Sequence, residues 1–165
     1  MYEEIIRRLR TQEDRELLLE EIHLLLTSLY EEKGLGFDRL LRTRIRAWVA
    51  NYLSEAFLKN DKQAYLKGLS DKVKSLTTIE ITFGYEPSYD MLDRVSSLID
   101  NAVGKHVILR TFCDPTLIGG VEIIFEGQFR DFSFQRIFEE EFEKSREVIL
   151  RSLDKSDKEM LVISQ

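Results

Sequence analysis

Residues 114–121, with the sequence DPTLIGGV, constrain the fold of this chain more than any other stretch. Proline fixes its own φ and favours an extended conformation at the residue before it, so Asp114 is placed to bond nearby backbone N–H groups and close a turn. The two glycines allow positive φ or a close backbone approach. After ten further residues comes a second short motif, Asp131-Phe132-Ser133. The stretch therefore predicts a tight turn that leads into a strand.

The residues after the two glycines alternate in polarity. Val121, Ile123 and Phe125 fall on one face of an extended chain and Glu122 on the other, which is typical of a half-buried strand. Gly127-Gln128 follows, and glycine at the first position of a two-residue loop favours a type II′ hairpin. We therefore expect two antiparallel strands joined at residues 127–128.

The first half of the chain has a helical period. A short amphipathic stretch at residues 2–10 precedes a long helix predicted at 13–32, which the sequence GLG at 34–36 ends. Further helices are predicted at 38–59 and from Asp61 onward. The helix at 13–32 carries more apolar residues than one neighbour needs, so we expect it to contact partners on two sides.

At residue 77 the hydrophobic period changes from helical to alternating, which marks a predicted domain boundary. A strand at 77–83 is followed by a helix at 88–103, a strand at 105–113, the hairpin and a final helix at 134–153. Ser133 is the expected N-cap of that helix, with Phe132 packed on Ile137. The predicted fold class is α+β: an N-terminal antiparallel helical bundle (1–76), a β-α-β-β-β-α domain with a mixed sheet (77–153), and a flexible tail (154–165).

Composition and charge limit the classes of function. A chain of 165 residues with 43% hydrophobic and 33% charged residues is typical of a soluble globular protein. The net charge is −6, and the acidic excess lies in residues 77–165, where it would repel a phosphate backbone. The longest apolar runs are too short to span a membrane, and the acidic start argues against a signal peptide. We therefore expect a protein that is cytosolic or faces the cytosol and does not bind nucleic acid.

The sequence indicates no active site. His23 and His106 are the two histidines, and neither has cysteine, histidine or carboxylate at the spacing of a metal site. No base is placed to activate Ser133, so helix capping explains this serine better than catalysis. We expect no catalytic, metal-binding or cofactor-binding residue and no small-molecule substrate.

The two short motifs carry a family resemblance. The pattern D-P-[ST]-L-I-G-G, ten residues, then D-x-S before an amphipathic helix is similar to the C-terminal domain of the delta subunit of F-type ATP synthases. The mitochondrial counterpart of that subunit is the oligomycin-sensitivity-conferring protein. The likeness covers roughly residues 77–153, with Phe132 where the family commonly has glycine. The motif residues, interpreted as structural, are Asp114, Pro115, Leu117, Gly119, Gly120, Asp131 and Ser133.

The resemblance implies a non-catalytic stator subunit of a proton-translocating ATP synthase. In the family, the N-terminal domain binds N-terminal helices of the alpha subunits and the C-terminal domain meets the C-terminal end of the b-subunit stalk. It also implies a place at the cytoplasmic face of the bacterial cell membrane, with membrane association only through the complex. The candidate residues for a helix-in-groove site are Leu18, Ile22, Leu25, Leu26 and Leu29.

The N-terminal domain departs from the family pattern in size. The family bundle usually has six helices, whereas residues 1–76 leave room for about four helices of average length. We therefore expect a shortened bundle.

An alternative function uses a basic helix face. Arg39, Arg42 and Arg46 are spaced to lie on one side of the helix predicted at 38–59. Such a face would suit a small nucleic-acid or regulatory binding module. The net negative charge and the intact paired motifs argue for the stator interpretation instead.

Overall fold

The computed structural model describes residues 2–31 and 36–163, which form seven helices and four strands. The helices are α1 (Glu3–Ile6), α2 (Gln12–Glu31), α3 (Phe37–Thr43), α4 (Ala47–Phe57), α5 (Lys62–Lys74), α6 (Tyr89–Val103) and α7 (Phe134–Ile163). The strands are β1 (Thr77–Phe83), β2 (Val107–Cys113), β3 (Val121–Phe125) and β4 (Gln128–Asp131). Five helices therefore precede the first strand, α6 lies between β1 and β2, and α7 follows β4, which confirms the α+β class.

The four strands form one sheet in the order β2-β1-β3-β4. β1 begins and ends where the alternating pattern predicts, and its apolar residues Ile79, Ile81 and Phe83 are buried. β3 and β4 pair antiparallel, from Glu122 opposite Asp131 to Phe125 opposite Gln128. The predicted antiparallel arrangement of the N-terminal helices stays a prediction.

The hairpin between β3 and β4 differs from the predicted one. Phe125 pairs with Gln128, so the loop is Glu126-Gly127 and not Gly127-Gln128. Glu126 has φ of 50° and Gly127 has φ of 77°. Positive φ at both loop positions indicates a type I′ turn, in which glycine favours the second position. The predicted type II′ turn is therefore wrong, and the loop lies one residue earlier in the sequence than predicted.

The helix predicted at 38–59 is two helices, because a tertiary contact interrupts it. α3 ends at Thr43 and α4 begins at Ala47, and Arg46 between them is extended, with φ −55° and ψ 134°. The N–H of Arg46 donates to Oε1 of the buried Glu21 at 2.8 Å. A backbone donor used in this way is not available to a continuous helix.

The chain divides into two compact units that differ from the predicted domains. The first unit is Met1–Glu80 with Pro87–Thr111, and the second is Ile81–Glu86 with Phe112–Gln165. In the first unit, α6 and part of β2 join the helices, and Ile108 lies in the same core cluster as the helical residues. Fully buried members of that cluster include Ile5, Leu9, Leu18, Leu25, Val49, Leu53, Leu66 and Leu69.

The helices of the second half begin at serine caps. Ser88 Oγ accepts the N–H of Met91 at 3.3 Å, and Gly104 ends α6 with φ of 74°, as the sequence predicts. α7 continues to Ile163 because no glycine or proline interrupts it. Residues 154–163, predicted as a flexible tail, are therefore helical. Residues 164–165 of that tail and residues 34–35 of the predicted stop lie outside the described part of the chain.

Within the described ranges, no helix has both the length and the apolar character needed to cross a bilayer.

Candidate partner-binding site

The turn predicted at residues 114–120 is held by the carboxylate of Asp114. Asp114 Oδ1 accepts the Thr116 hydroxyl at 2.6 Å and the Thr116 N–H at 2.9 Å. These two bonds, the hydroxyl bond foremost, hold the pKa of Asp114 below its ordinary value. The N–H of Asp114 donates to the Phe83 carbonyl at 2.8 Å. The turn is therefore tied to the end of β1.

Glycines bring this turn against neighbouring backbone. A Cβ at Gly84 would lie 2.6 Å from the carbonyl oxygen of Leu117. Gly119 and Gly120 have φ of 64° and 75°, and a Cβ at Gly120 would overlap the carbonyl oxygen of Phe132. A larger residue at Gly120 therefore meets both backbone strain and a clash. The paired glycines let the turn pass against the residues that precede α7.

The second motif completes the same arrangement. The N–H of Ser133 donates to Asp131 Oδ1 at 2.7 Å, and this bond is the main reason why the pKa of Asp131 is lowered. Ser133 Oγ accepts the N–H of Arg136 at 3.3 Å and so caps α7, as the sequence predicts. The N–H of Phe132 donates to the Val121 carbonyl at 2.9 Å. Residues 114–120 and 131–133 thus form one feature, the α7 lock, that fixes the start of the helix.

The polar groups of the α7 lock are engaged in holding backbone. Ser133, the only hydroxyl of its motif, is 2% exposed and caps a helix. In the part of the chain that the structure describes, no group of three or more His, Cys, Asp or Glu side chains is placed to hold a metal ion. The arrangement therefore serves to position α7.

α7 exposes a row of large apolar side chains. Phe134, Phe138 and Phe142 follow one another at four-residue spacing, and Ile137 lies beside them. Residues at this spacing share one helix face. Their exposed fractions are 54%, 68%, 60% and 49% in that order. We call these four residues the α7 stripe.

The rest of the second unit is also sparsely buried. Among its described side chains, Ile81, Phe83 and Ser133 are the buried ones. Ile124 and Phe129, which face each other across β3 and β4, are 42% and 57% exposed. Exposed apolar area on this scale is typical of a surface that another protein covers. The sequence predicts the amphipathic pattern of α7 but not its exposure.

The predicted contact residues on α2 need correction. Leu18 and Leu25 are 0% exposed and Ile22 is 1% exposed, so these three side chains belong to the core of the first unit. Leu26 and Leu29 are partly buried and pack against that core. Periodicity shows that α2 has too many leucines for one neighbour, but the position of α5 decides which of them turn inward.

The exposed part of α2 borders a groove shared with α5. This groove, the α2–α5 groove, has a volume of about 560 Å³. Leu24, on its wall, is 45% exposed. The residues lining it are Leu19, Glu20, Ile22, His23, Leu24, Leu26, Ser70 and Lys74. Sequence reasoning named Ile22 and Leu26 from this set and missed Leu24, Glu20 and Lys74.

The basic face predicted from three arginines is not continuous. Arg46 Nη2 lies 3.0 Å from Glu21 Oε2, and its guanidinium carbon is 5.3 Å from the centre of the Trp48 ring. Arg46 therefore serves an internal ion pair at the break between α3 and α4. Arg39 and Arg42 remain exposed on α3. Arg44, at the edge of the patch, is exposed directly after α3, so the patch proposed for nucleic acid is reduced to these three residues.

Comparison with known proteins found a curated relative of this chain. No family model matches the chain. The chain is 28% identical over 110 residues to the ATP synthase subunit delta of Heliobacterium modesticaldum (strain ATCC 51547 / Ice1), a match that covers 67% of this chain and 55% of the relative. The chain thus spans about half the length of the curated relative that it matches. The similarity confirms the resemblance that the two short motifs indicate: this chain is similar to the delta subunits of ATP synthases.

Proposed function

We propose that this chain is a non-catalytic stator component of a proton-translocating F-type ATP synthase, linking the catalytic head to the peripheral stalk. The similarity to an ATP synthase delta subunit supports the assignment. A stator does no chemistry of its own; it resists rotor torque through non-covalent contacts, and so needs separate surfaces for two partners. The α7 stripe and the α2–α5 groove are two such surfaces.

The exposure of the α7 stripe is the observation that carries the proposal. Three phenylalanines in a row on a capped helix offer a large apolar area at fixed positions. Such a row packs well along a second helix, whose side chains fit between successive rings. We assign this surface to the C-terminal end of the b subunit. Glu141, three residues after Phe138 and four after Ile137, lies on the same face as the stripe and favours a partner with basic residues.

The α2–α5 groove suits an amphipathic helix. Half of its lining residues are leucine or isoleucine, and Glu20 and Lys74 put one charge of each sign among them. An N-terminal helix of an alpha subunit could bury its apolar face between these walls and pair its polar face with those charges. We propose that binding uses Leu19, Leu24 and Leu26 in place of the buried Leu18 and Leu25.

The proposed location follows from the proposed partners. A chain held by the head and the stalk is a peripheral component of the membrane complex, at the cytoplasmic face of a bacterial membrane. The alternative of a nucleic-acid or regulatory module is less well supported, since Arg46 is used internally. Arg39, Arg42 and Arg44 offer little phosphate neutralisation to a chain with a net charge of −6.

Co-purification from the native membrane tests the proposal. The tagged chain should recover the alpha and b subunits from detergent-solubilised membranes. Phe138→Asp places a charge in the centre of the stripe, so recovery of b should fall about tenfold, the loss expected when an interface anchor is removed. The Phe138→Asp variant should still recover the alpha subunit, because the proposed contact with alpha uses the α2–α5 groove and not the stripe.

A matched control lies on the opposite side of α7. Arg136→Gln makes the same change of net charge, and Arg136 forms an exposed ion pair with Glu140 that contributes little to stability. This variant should recover b like the unmodified chain. Equal recovery of b by Phe138→Asp would contradict the assignment of the stripe, and absence of both subunits from the unmodified preparation would overturn the stator role.

A further inference from the structure

A partly buried histidine ties the N-terminal segment to the rest of the first unit. His106 lies between α6 and β2, and its side chain is 13% exposed. Its Nδ1 is 2.7 Å from Asp100 Oδ2 on α6, and its Nε2 is 2.8 Å from the carbonyl oxygen of Leu9. Leu9 follows α1 and is completely buried. One imidazole therefore bridges two segments that are far apart in the sequence.

Both partners of this imidazole are hydrogen-bond acceptors. A carbonyl oxygen can only accept, and so can an ionised carboxylate, whereas a neutral imidazole has one N–H and one lone pair. The other oxygen of Asp100 accepts the N–H of Val107 at 2.9 Å, so the carboxylate is used as an acceptor on both sides. Both hydrogen bonds, to Leu9 and to Asp100, form when both ring nitrogens of His106 carry a proton.

The segment bound by His106 makes further contacts within the first unit. The carbonyl of Arg10 accepts the N–H of Leu109 on β2 at 2.8 Å, and Thr11 forms a parallel bridge with Leu109. Arg10 Nε lies 2.8 Å from Asp93 Oδ1 on α6. Leu9–Thr11, the latch segment, is therefore held to α6 and β2 by side-chain and backbone bonds together.

We propose that His106 is a proton-dependent latch for the N-terminal segment. In the doubly protonated form the ring donates to Leu9 and to Asp100 at once. Loss of one proton leaves a lone pair facing an acceptor oxygen, so one bond is lost and the latch segment loosens. Histidine is the side chain that changes charge near neutral pH. The latch is therefore closed while the ring is doubly protonated and opens when the ring loses a proton, and this holds whatever the function of the chain.

Charged groups on every neighbouring element bear on this equilibrium. Asp100 is the charged group in direct contact with the ring. The other charged residues that line the cavities beside His106, or bond the latch segment, are Glu3 on α1, Arg7 directly after α1, Arg10 in the latch segment, Asp14 on α2, Lys72 on α5, Asp93 on α6, and Lys105 next to the ring.

Hydrogen exchange at the amide of Leu109 tests the latch, because this amide donates to the latch segment. Its protection factor, corrected for the intrinsic effect of pH, should fall about tenfold between pH ~5.5 and pH ~8, as expected for loss of one charge-assisted bond. His106→Gln should show low protection with no such pH dependence. His23→Gln, which removes the exposed histidine on α2, should behave like the unmodified chain.

Nitrogen NMR of the unmodified protein gives a second measurement that needs no variant. Both ring nitrogens of His106 should be protonated in mild acid, and one should lose its proton as Leu109 protection falls. A neutral ring throughout this range, or a pH dependence that persists in His106→Gln, would overturn the proposal. Should His106→Gln fail to fold, the nitrogen spectra of the unmodified chain decide the question.

Discussion

Gly120 occupies a position where backbone conformation and packing both exclude a side chain. Gly120→Ala should lower the free energy of unfolding of the second unit by about 1–3 kcal/mol from the left-handed φ alone, and further from the overlap with the Phe132 carbonyl. Urea denaturation followed by circular dichroism measures the loss.

Gly127→Ala is the matched control for this clash. Gly127 has a similar φ of 77°, but a Cβ there would meet no atom within 4 Å. The loss of stability in Gly127→Ala therefore measures the backbone strain without the clash. Gly120→Ala should lower the free energy of unfolding by more than Gly127→Ala does. Equal losses for the two variants would show that close packing of the α7 lock contributes nothing.

Asp131 should make the α7 lock sensitive to acid. Because its pKa in the folded protein is lowered, its contribution to stability is complete above the ordinary Asp pKa and is lost as the pH falls through the folded value. Asp131→Asn keeps an acceptor oxygen but has no proton to gain. Urea midpoints should therefore fall less for this variant than for the unmodified chain between pH ~6 and pH ~3. Identical acid dependence would argue against the Asp131–Ser133 bond.

At the scale of the elements, the exposed face of α2 leads to a prediction about binding. Leu24→Asp puts a charge on the wall of the α2–α5 groove, and the helix should tolerate it because Leu24 is 45% exposed. Affinity for a peptide from the N-terminal helix of an alpha subunit should fall about tenfold or more, as for a buried interface anchor. Fluorescence anisotropy with a labelled peptide measures the change.

A surface leucine outside the groove provides the comparison. Leu58, directly after α4, is 84% exposed and does not line the groove, so Leu58→Asp should bind the peptide normally. Unchanged affinity of Leu24→Asp would remove the groove as the alpha-binding site. Ile22→Asp is unsuitable for this purpose because Ile22 is 1% exposed and its replacement would disrupt the core.

The elements also show what sequence reasoning can and cannot predict. Local patterns located β1, α6 and the cap at Ser133, because alternation and capping depend on neighbours in the chain. The break before Arg46 depends on Glu21, which is distant in sequence, and the inward-facing leucines of α2 depend on α5. The hairpin register required a positive φ at Glu126, a residue that does not signal one.

For the whole molecule, net charge gives a prediction that distinguishes the stator proposal from the nucleic-acid alternative. The net charge is −6 and Arg46 is paired internally, so the chain should pass through a heparin column at low salt without retention, since such binding requires unneutralised cations. Elution is followed by absorbance. Strong retention that is lost in Arg39→Gln combined with Arg42→Gln would favour the nucleic-acid alternative.

The length of α7 gives the α7 lock a mechanical meaning. With 30 residues and a rise of 1.5 Å per residue, the helix is about 45 Å long, and the lock clamps its first turn. A sideways pull near the far end would act through that lever arm as a bending moment on Gly119, Gly120 and Ser133. Glycine backbone packed against a carbonyl can move far less than a side chain that can change rotamer. The first turn of α7 would therefore resist bending when force acts on the far end of the helix.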